Sequence, residues 1–139
     1  PVLIVPFASQ SIKPFSRALI AWDASMNATR AVIGALPLLR TASVVDVVVF
    51  NASAQDESHG EVPGGDLALY LARHGVSVNV ISRRTDIDIG NALLSLSADQ
   101  GSDLLVMGGY GHTRFREILL GGATQTVLES MTLPVLMAH

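Results

Sequence analysis

Short, nearly continuous apolar runs alternate along the chain with segments whose apolar residues recur at helical spacing. The runs predict five strands, at Ala18–Trp22, Val44–Phe50, Val76–Ile81, Leu104–Gly108 and Pro134–Ala138. Strands that are apolar along their whole length are typical of parallel sheets, because helices cover both faces. The pattern therefore predicts an α/β fold.

Four stripes of apolar residues between these runs predict helices that cover the sheet. The stripes are Ala28, Ala31, Val32, Ala35, Leu36 and Leu39; Leu67, Tyr70 and Leu71; Ile89, Ala92, Leu93 and Leu96; and Ala123, Val127, Leu128 and Met131. Gly75 and Gly101 each follow a stripe and precede a strand, where a left-handed residue ends a helix. Strand and helix alternate with right-handed crossovers, so we expect a doubly wound, five-stranded parallel sheet.

The composition narrows the class of protein further. A chain of 139 residues with 49% apolar residues fits one compact domain. The net charge of −3, with Lys13 the only lysine, argues against nucleic acid as a partner. No apolar run approaches the roughly 18 residues of a membrane span, so we expect no membrane contact and a cytoplasmic protein.

The sequence contains none of the motifs for catalysis or metal binding that we searched for. The chain has no cysteine, and its four histidines lack metal-site spacing. Neither a nucleophile elbow nor a P-loop lysine motif occurs. We therefore assign no catalytic and no metal-binding residue.

Glycines cluster in the stretch MGGYGHTRFREILLGGATQTVLES, residues 107–130, after the fourth predicted strand. Glycines let a backbone approach a ligand closely and adopt a positive φ, as we expect for Gly108 and Gly111, and amides before a helix attract anions. The stretch is thus interpreted as a phosphate cradle. Alternatively, the same glycines merely connect the strand to the last helix. The glycines are Gly108, Gly109, Gly111, Gly121 and Gly122.

The spacing of these glycines, together with LIAWDAS, LLVMGGYGH, FREILLGG and LPVLMAH, resembles the universal stress protein family from about Ser16 to His139. The resemblance implies strand order 3-2-1-4-5 and a site for ATP or another adenine nucleotide, with or without Mg²⁺. In that site Asp23 contacts the nucleoside, Phe50 or Val49 packs on adenine, and the phosphates lie between the glycine turns. Alternatively, Asp23 only caps a helix or forms the turn at DASMN. The implied site residues are Trp22, Asp23, Ala24, Phe50, Met107, Gly108, Gly111, His112, Gly121, Gly122, Ala123 and Thr124.

The chain departs from the family at position 122, where ATP-binding members carry serine or threonine and this chain has Gly122. Losing a hydrogen bond to a charged group weakens binding roughly ten- to a hundredfold. Thr124 is expected to cap the last helix or to reach a phosphate. Three hypotheses follow: a nucleotide-binding module of the stress response, a degenerate copy that serves as a dimerisation or scaffold domain, and a slow nucleotide hydrolase.

The two ends of the chain carry nearly the same hexamer, PVLIVP at residues 1–6 and PVLMAH at residues 134–139. We interpret residues 1–16 as the tail of a preceding repeat plus a linker, and residues 17–139 as the domain. Because the last strand is a sheet edge that must be paired or covered, we expect Pro1–Pro6 to lie antiparallel to Val135, Leu136 and Met137. The same edge is the expected site of self-association.

Overall fold

The computed structural model of the protein describes residues 1–7, 13–52, 62–109 and 122–139. Its strands are β1 (Val2–Ile4), β2 (Arg17–Ala21), β3 (Val44–Phe50), β4 (Val78–Arg83), β5 (Leu104–Gly108) and β6 (Val135–Ala138). Its helices are α1 (Met26–Leu39), α2 (Gly65–Arg73), α3 (Ile89–Gln100) and α4 (Gly122–Ser130).

The described strands form one mixed sheet in the order β1-β6-β5-β2-β3-β4. The strands β2 to β6 pair in parallel, and only the pair of β1 with β6 is antiparallel. When the five parallel strands are numbered in chain order, their order is 3-2-1-4-5, as expected. The α/β fold class and the doubly wound sheet are thus confirmed.

Helices cover the sheet on both faces, and each face has its own apolar core. Residues of α1 and α2 pack on one face, and residues of α3 and α4 pack on the other. Side chains alternate between the faces along each strand. In β2, for example, Ile20 belongs to the α1/α2 core and Leu19 to the α3/α4 core. Both faces being buried explains why the strand sequences are continuously apolar.

The strand β1 covers the edge of β6, as the sequence predicts. Val2 pairs with Met137, and Ile4 pairs with Val135. A close contact between Pro1 and Gly34 in the middle of α1 also holds β1 in place. A Cβ on residue 34 would collide with the Pro1 ring. Glycine inside a helix costs about 0.5–1 kcal/mol relative to alanine, and here it makes room for the start of β1.

The boundaries of β2, β4 and β6 differ from the prediction by one or two residues. The third parallel strand begins at Val78 instead of Val76 and extends to Arg83. Val76 is buried because it closes the turn after α2, where its amide donates to the carbonyl of Leu71. Trp22 lies just beyond β2, although its amide still donates to the carbonyl of Val48 at 2.9 Å. The apolar pattern indicates burial and not hydrogen bonding, so it placed Val76 and Trp22 inside strands although both lie just outside them.

The helix ends agree better with the sequence. Gly75 and Gly101 both adopt the left-handed conformation, with φ of 78° and 66°. Gly101 is the C-cap of α3, and Gly75 follows the last turn of α2. The prediction that these glycines end helices is confirmed.

A polar network at the amino end of the sheet was not predicted. Asp46 is 1% exposed in the apolar run of β3. It pairs with the Nε of Arg17 at 2.8 Å and accepts from the Nδ2 of Asn79 at 3.1 Å. Arg17 also donates to the Oε1 of Gln100 at 2.7 Å. These bonds join β2, β3, β4 and α3 on the side of the sheet that carries α3 and α4.

Candidate functional site

The carboxyl ends of β2 and β5 lie side by side at the switch point of the sheet. From β2 the chain continues to β3 on one side, whereas β5 and β6 lie on the other. Ligands of doubly wound folds bind in the crevice outside such a switch point. The segments that follow these strands are therefore the first place to look for a site. They begin with Trp22–Ser25 after β2 and Gly109 after β5.

The segment after β2 forms a tight polar turn. The Oδ1 of Asp23 accepts from the amide of Ser25 at 3.0 Å, and the Oγ of Ser25 accepts from the amide of Ala28 at 3.1 Å. Ser25 is therefore the N-cap of α1, and Asp23 holds the turn that precedes it. Ala24 has a positive φ of 57°, which is uncommon for a residue with a Cβ. Asp23 is exposed at the strand end that the sequence assigned to it.

The glycine that ends β5 is required by the close approach of α1. A Cβ on Gly108 would lie 2.6 Å from the amide nitrogen of Ala28 and 3.0 Å from the carbonyl carbon of Asn27. The Nδ2 of Asn27 also donates to the carbonyl of Gly109 at 2.8 Å. Gly108 does not adopt a positive φ, contrary to the expectation for it. Its lack of a Cβ is thus explained by the packing of α1.

Aromatic side chains near the site lie on opposite sides of the sheet. Phe50, at the end of β3, packs with Met107 against the α3/α4 core. Trp22 packs against the α1/α2 core. A ligand bound on the side of α4 would therefore meet Phe50 before Trp22.

The end of β3 is tied to the segment after β4 by Asn51. Its amide donates to the carbonyl of Arg83 at 2.8 Å, and its Oδ1 accepts from the amide of Thr85 at 2.8 Å. Asn51 has a positive φ of 54°, a conformation that asparagine tolerates better than most residues. Left-handed residues thus follow both β2 and β3 at the carboxyl edge of the sheet.

The start of α4 lies at the same edge of the sheet, because the helix runs back antiparallel to β5. Gly122 is its first residue and is exposed. Ala123 is half-buried, and Thr124 is only 4% exposed. Thr124 is the third residue of the helix and does not stand in the N-cap position.

An acidic residue adjoins this helix start. Asp88 is the N-cap of α3, where its Oδ2 accepts from the amide of Asn91 at 3.0 Å. Its Oδ1 lies 3.7 Å from the point where a Cβ on Gly122 would stand. A negative charge is therefore built in beside the expected phosphate position.

Three of the expected site residues, Gly111, His112 and Gly121, lie outside the described residues. The structure therefore describes the crevice from Trp22, Asp23, Ala24, Phe50, Met107, Gly108, Gly122, Ala123 and Thr124. Phe50 and Met107 share one face of the sheet, and Asp23, Gly108 and Gly122 lie at its carboxyl edge.

Three further polar residues line this edge without having been singled out from the sequence. They are Asn27, Asn51 and Asp88. A local signal exists for two of them, because aspartate before a helical stripe is an N-cap signature and asparagine after a strand favours a left-handed turn. The role of Asn27 depends on a contact with Gly109, 82 residues away, and no local pattern indicates it.

An open apolar hollow of about 220 Å³ lies on the α4 side of β1 and β6. Its lining includes Val2, Ile4, Leu128 and Met137. Gly109, Ala138 and His139 complete the lining, which is mostly apolar, so the hollow differs in character from the polar crevice.

Some features are absent from the described ranges. Residues 1–7, 13–52, 62–109 and 122–139 contain no group of three or more acidic or histidine side chains placed to hold a metal ion. Within the same ranges, no helix has the length and apolar character needed to cross a bilayer.

Comparison with known proteins identifies the family. The model of the universal stress protein family matches residues 14–139, nearly the whole chain. This chain belongs to the universal stress protein family. A universal stress protein of Synechocystis is 25% identical over 138 residues, covering 98% of this chain and 46% of that protein. A universal stress protein of Methanocaldococcus jannaschii is 39% identical over 44 residues, which are 32% of this chain and 27% of that protein. The matched sequence covers less than half the length of each of these two relatives.

Solved structures of universal stress proteins share the fold. The Methanocaldococcus jannaschii protein superposes with a TM-score of 0.69 at 19% identity, covering 91% of this chain and 96% of that one. The protein UspA of Lactobacillus plantarum gives a TM-score of 0.66 at 14% identity, over 92% of this chain and all of that one (100%). A universal stress protein in complex with cAMP gives a TM-score of 0.58 at 20% identity, over 91% of this chain and 99% of that one. At these identities the likeness shows the fold alone.

Proposed function

We propose that this universal stress protein domain binds an adenine nucleotide at the carboxyl edge of the sheet and acts as a nucleotide-responsive module of the cytoplasmic stress response. The observation that carries the proposal is the crevice at the switch point. It brings the turn of Asp23 and the glycine end of β5 to the edge of the sheet at which α4 begins.

Different described residues would contact the ribose, the base and the phosphates of the nucleotide. Asp23 is exposed after β2 and offers carboxylate oxygens to hydroxyl groups of a ribose. Phe50 offers an aromatic ring to a base on the α3/α4 side of the sheet. The amides of Gly122 and Ala123 begin α4, and amides at a helix start attract phosphate. Mg²⁺ would bind through the phosphates, since the described residues contain no cluster that could hold it alone.

Family membership supports an adenine nucleotide as the ligand to test. One solved relative is a complex with cAMP. The contribution of this chain is positioning, because the sequence contains neither a P-loop lysine motif nor a nucleophile elbow. Binding and signalling are therefore favoured over turnover.

A second candidate function is that of a degenerate copy which serves as a dimerisation or scaffold domain. Gly122 favours it, since the family hydroxyl is missing. Gly108 favours it as well, because the packing of α1 explains that glycine without any ligand. In this proposal residues 1–16 are the tail of a preceding repeat and a linker, and the chain associates with another domain by exchange of β1, which pairs with the edge of β6 in this structure. The chain covers 46% of its Synechocystis relative, so that relative has room for about two such domains, which supports a tandem arrangement.

Calorimetric titration of the chain with ATP, with and without Mg²⁺, and with cAMP tests the proposal. We expect saturable heat, and we expect Gly122→Ser to tighten ATP binding roughly tenfold or more by restoring one charge-assisted hydrogen bond. The matched control is Gly122→Ala, which adds the same Cβ without a hydroxyl. The space around Gly122 accepts a Cβ in ordinary contact, so both variants should fold.

The two candidate functions give different results. Heat with the wild type supports nucleotide binding. Heat with Gly122→Ser alone would show that the missing hydroxyl has abolished binding and would favour the second candidate function. No heat from any of the three proteins up to millimolar ligand would overturn nucleotide binding and leave the scaffold function. The mass of the chain in solution, measured by light scattering, then becomes the informative quantity.

A further inference from the structure

Asp88 stands between the starts of two helices. Its Oδ2 caps α3 through the amide of Asn91 at 3.0 Å. Its Oδ1 faces α4 and lies 3.7 Å from the place of a Cβ on Gly122. One carboxylate therefore serves the first turn of α3 and adjoins the first turn of α4.

The position of Asp88 beside α4 is held by the packing of the two helices. A Cβ on Gly90 would lie 2.6 Å from the Cβ of Thr126 and 2.8 Å from the carbonyl oxygen of Ala123. Such distances are too short for any residue but glycine, so the backbone of α3 at Gly90 packs directly against the Thr126 side chain and the Ala123 carbonyl of α4. Asp88 precedes Gly90 by two residues and is fixed by its cap hydrogen bond. Its charge cannot move far from α4 without uncapping α3.

A carboxylate in this place opposes phosphate. Two like charges about 6 Å apart repel by an amount that weakens binding roughly three- to tenfold when water screens them partly. The effect multiplies with the number of phosphate charges nearby. It therefore weighs most on a free triphosphate and least on a phosphodiester that carries a single charge.

We propose that Asp88 is a specificity-determining residue, which selects against highly charged polyphosphates and in favour of a nucleotide with one phosphate charge. This inference rests on the proposed nucleotide site. The missing hydroxyl at Gly122 acts in the same direction, because the hydroxyl would stabilise a charged phosphate. Mg²⁺ bound to a triphosphate offsets the repulsion by neutralising phosphate charge.

The variant Asp88→Asn tests the inference without removing the cap, because asparagine caps helices as well as aspartate does. The matched control is Asp86→Asn, which removes one charge from an exposed residue two positions earlier. Thermal melting of both variants establishes that the fold is intact. Each protein is titrated with cAMP, with ATP in EDTA and with ATP in excess Mg²⁺.

We expect Asp88→Asn to tighten binding of metal-free ATP roughly tenfold or more and binding of cAMP by no more than about threefold. The gain for ATP should shrink when Mg²⁺ is present and when the salt concentration is raised. Asp86→Asn should leave the ratio of the ATP and cAMP affinities unchanged.

Each other outcome is decisive. If wild type and Asp88→Asn bind ATP and cAMP with the same ratio of affinities, the inference is overturned and the nucleotide site stands. If Asp88→Asn binds ATP and the wild type does not, Asp88 alone keeps the site from binding ATP, and the inference is supported. If no variant binds either nucleotide, both the inference and the proposed function are overturned.

Discussion

Replacing Gly108 by alanine separates the packing role of this glycine from any role in ligand binding. The added Cβ would stand 2.6 Å from the amide nitrogen of Ala28, about 1 Å inside ordinary van der Waals contact. The obstacle is backbone at the start of α1, which cannot rotate away as a side chain can. We therefore expect α1 to be displaced from the end of β5.

The size of the effect follows from two terms. Overpacking costs about 1–3 kcal/mol. Displacement of α1 also breaks the 2.8 Å hydrogen bond from Asn27 to the carbonyl of Gly109, which contributes about 1 kcal/mol. A loss of about 2–4 kcal/mol in the free energy of unfolding lowers the melting temperature by roughly 6–16 °C for a domain of this size.

The neighbouring glycine provides a matched control. A Cβ on Gly109 meets nothing closer than the Sδ of Met137 at 3.7 Å, so Gly109→Ala should change the melting temperature by only a few degrees. Urea unfolding and calorimetry of both variants, without nucleotide, measure the difference. Equal stability of Gly108→Ala and Gly109→Ala would refute the packing explanation and return Gly108 to the phosphate cradle.

Two further predictions concern the ends of the sheet. Arg17→Leu leaves the carboxylate of Asp46 buried without its cation, so urea unfolding should show a loss of about 2–4 kcal/mol in the free energy of unfolding. The loss is smaller than for a fully buried pair because the Arg17 side chain is 33% exposed. Adding Asp46→Asn should restore part of the stability, and no restoration would contradict an electrostatic cause. Gly34→Ala should loosen β1 by its collision with Pro1, seen as faster hydrogen exchange in residues 2–4. In a chain without Pro1 the same change should instead raise stability by about 0.5–1 kcal/mol, because alanine favours the helix, and a loss there would refute the contact.

The sequence pattern predicts the parallel sheet well because burial on both faces leaves a strong signal. Five runs of valine, leucine and isoleucine are enough to place β2, β3, β5 and β6 within one or two residues. The shift of β4 has a physical cause. Its last residues, Ser82 and Arg83, are exposed at a sheet edge yet still pair with Val49 and Phe50 of β3, so their polarity hides their strand geometry.

The candidate site was predictable only where it depends on local chain order. Asp23 lies at the end of β2, as expected, because a residue after a parallel strand must lie at the carboxyl edge. The reason for Gly108 was not accessible, since its neighbour is α1, some 80 residues earlier in the chain. The pair of Asp46 and Arg17 was likewise hidden, because the partners come from different strands and one charged residue in an apolar run gives no indication of its partner.

The glycines of the MGGYGH and GGAT stretches therefore do not all have the same physical reason. Gly108 is a packing glycine, since a Cβ there meets backbone at 2.6 Å, whereas a Cβ on Gly122 would be in ordinary contact with the Oδ1 of Asp88 at 3.7 Å. Packing explains why residue 108 is glycine, but it does not explain why residue 122 is glycine. At Gly122 the relevant quantity is charge, because the amides at the start of α4 attract an anion and the carboxylate of Asp88 repels it. If the proposed nucleotide binds there, the number of charges on its phosphate decides which of these two effects is larger.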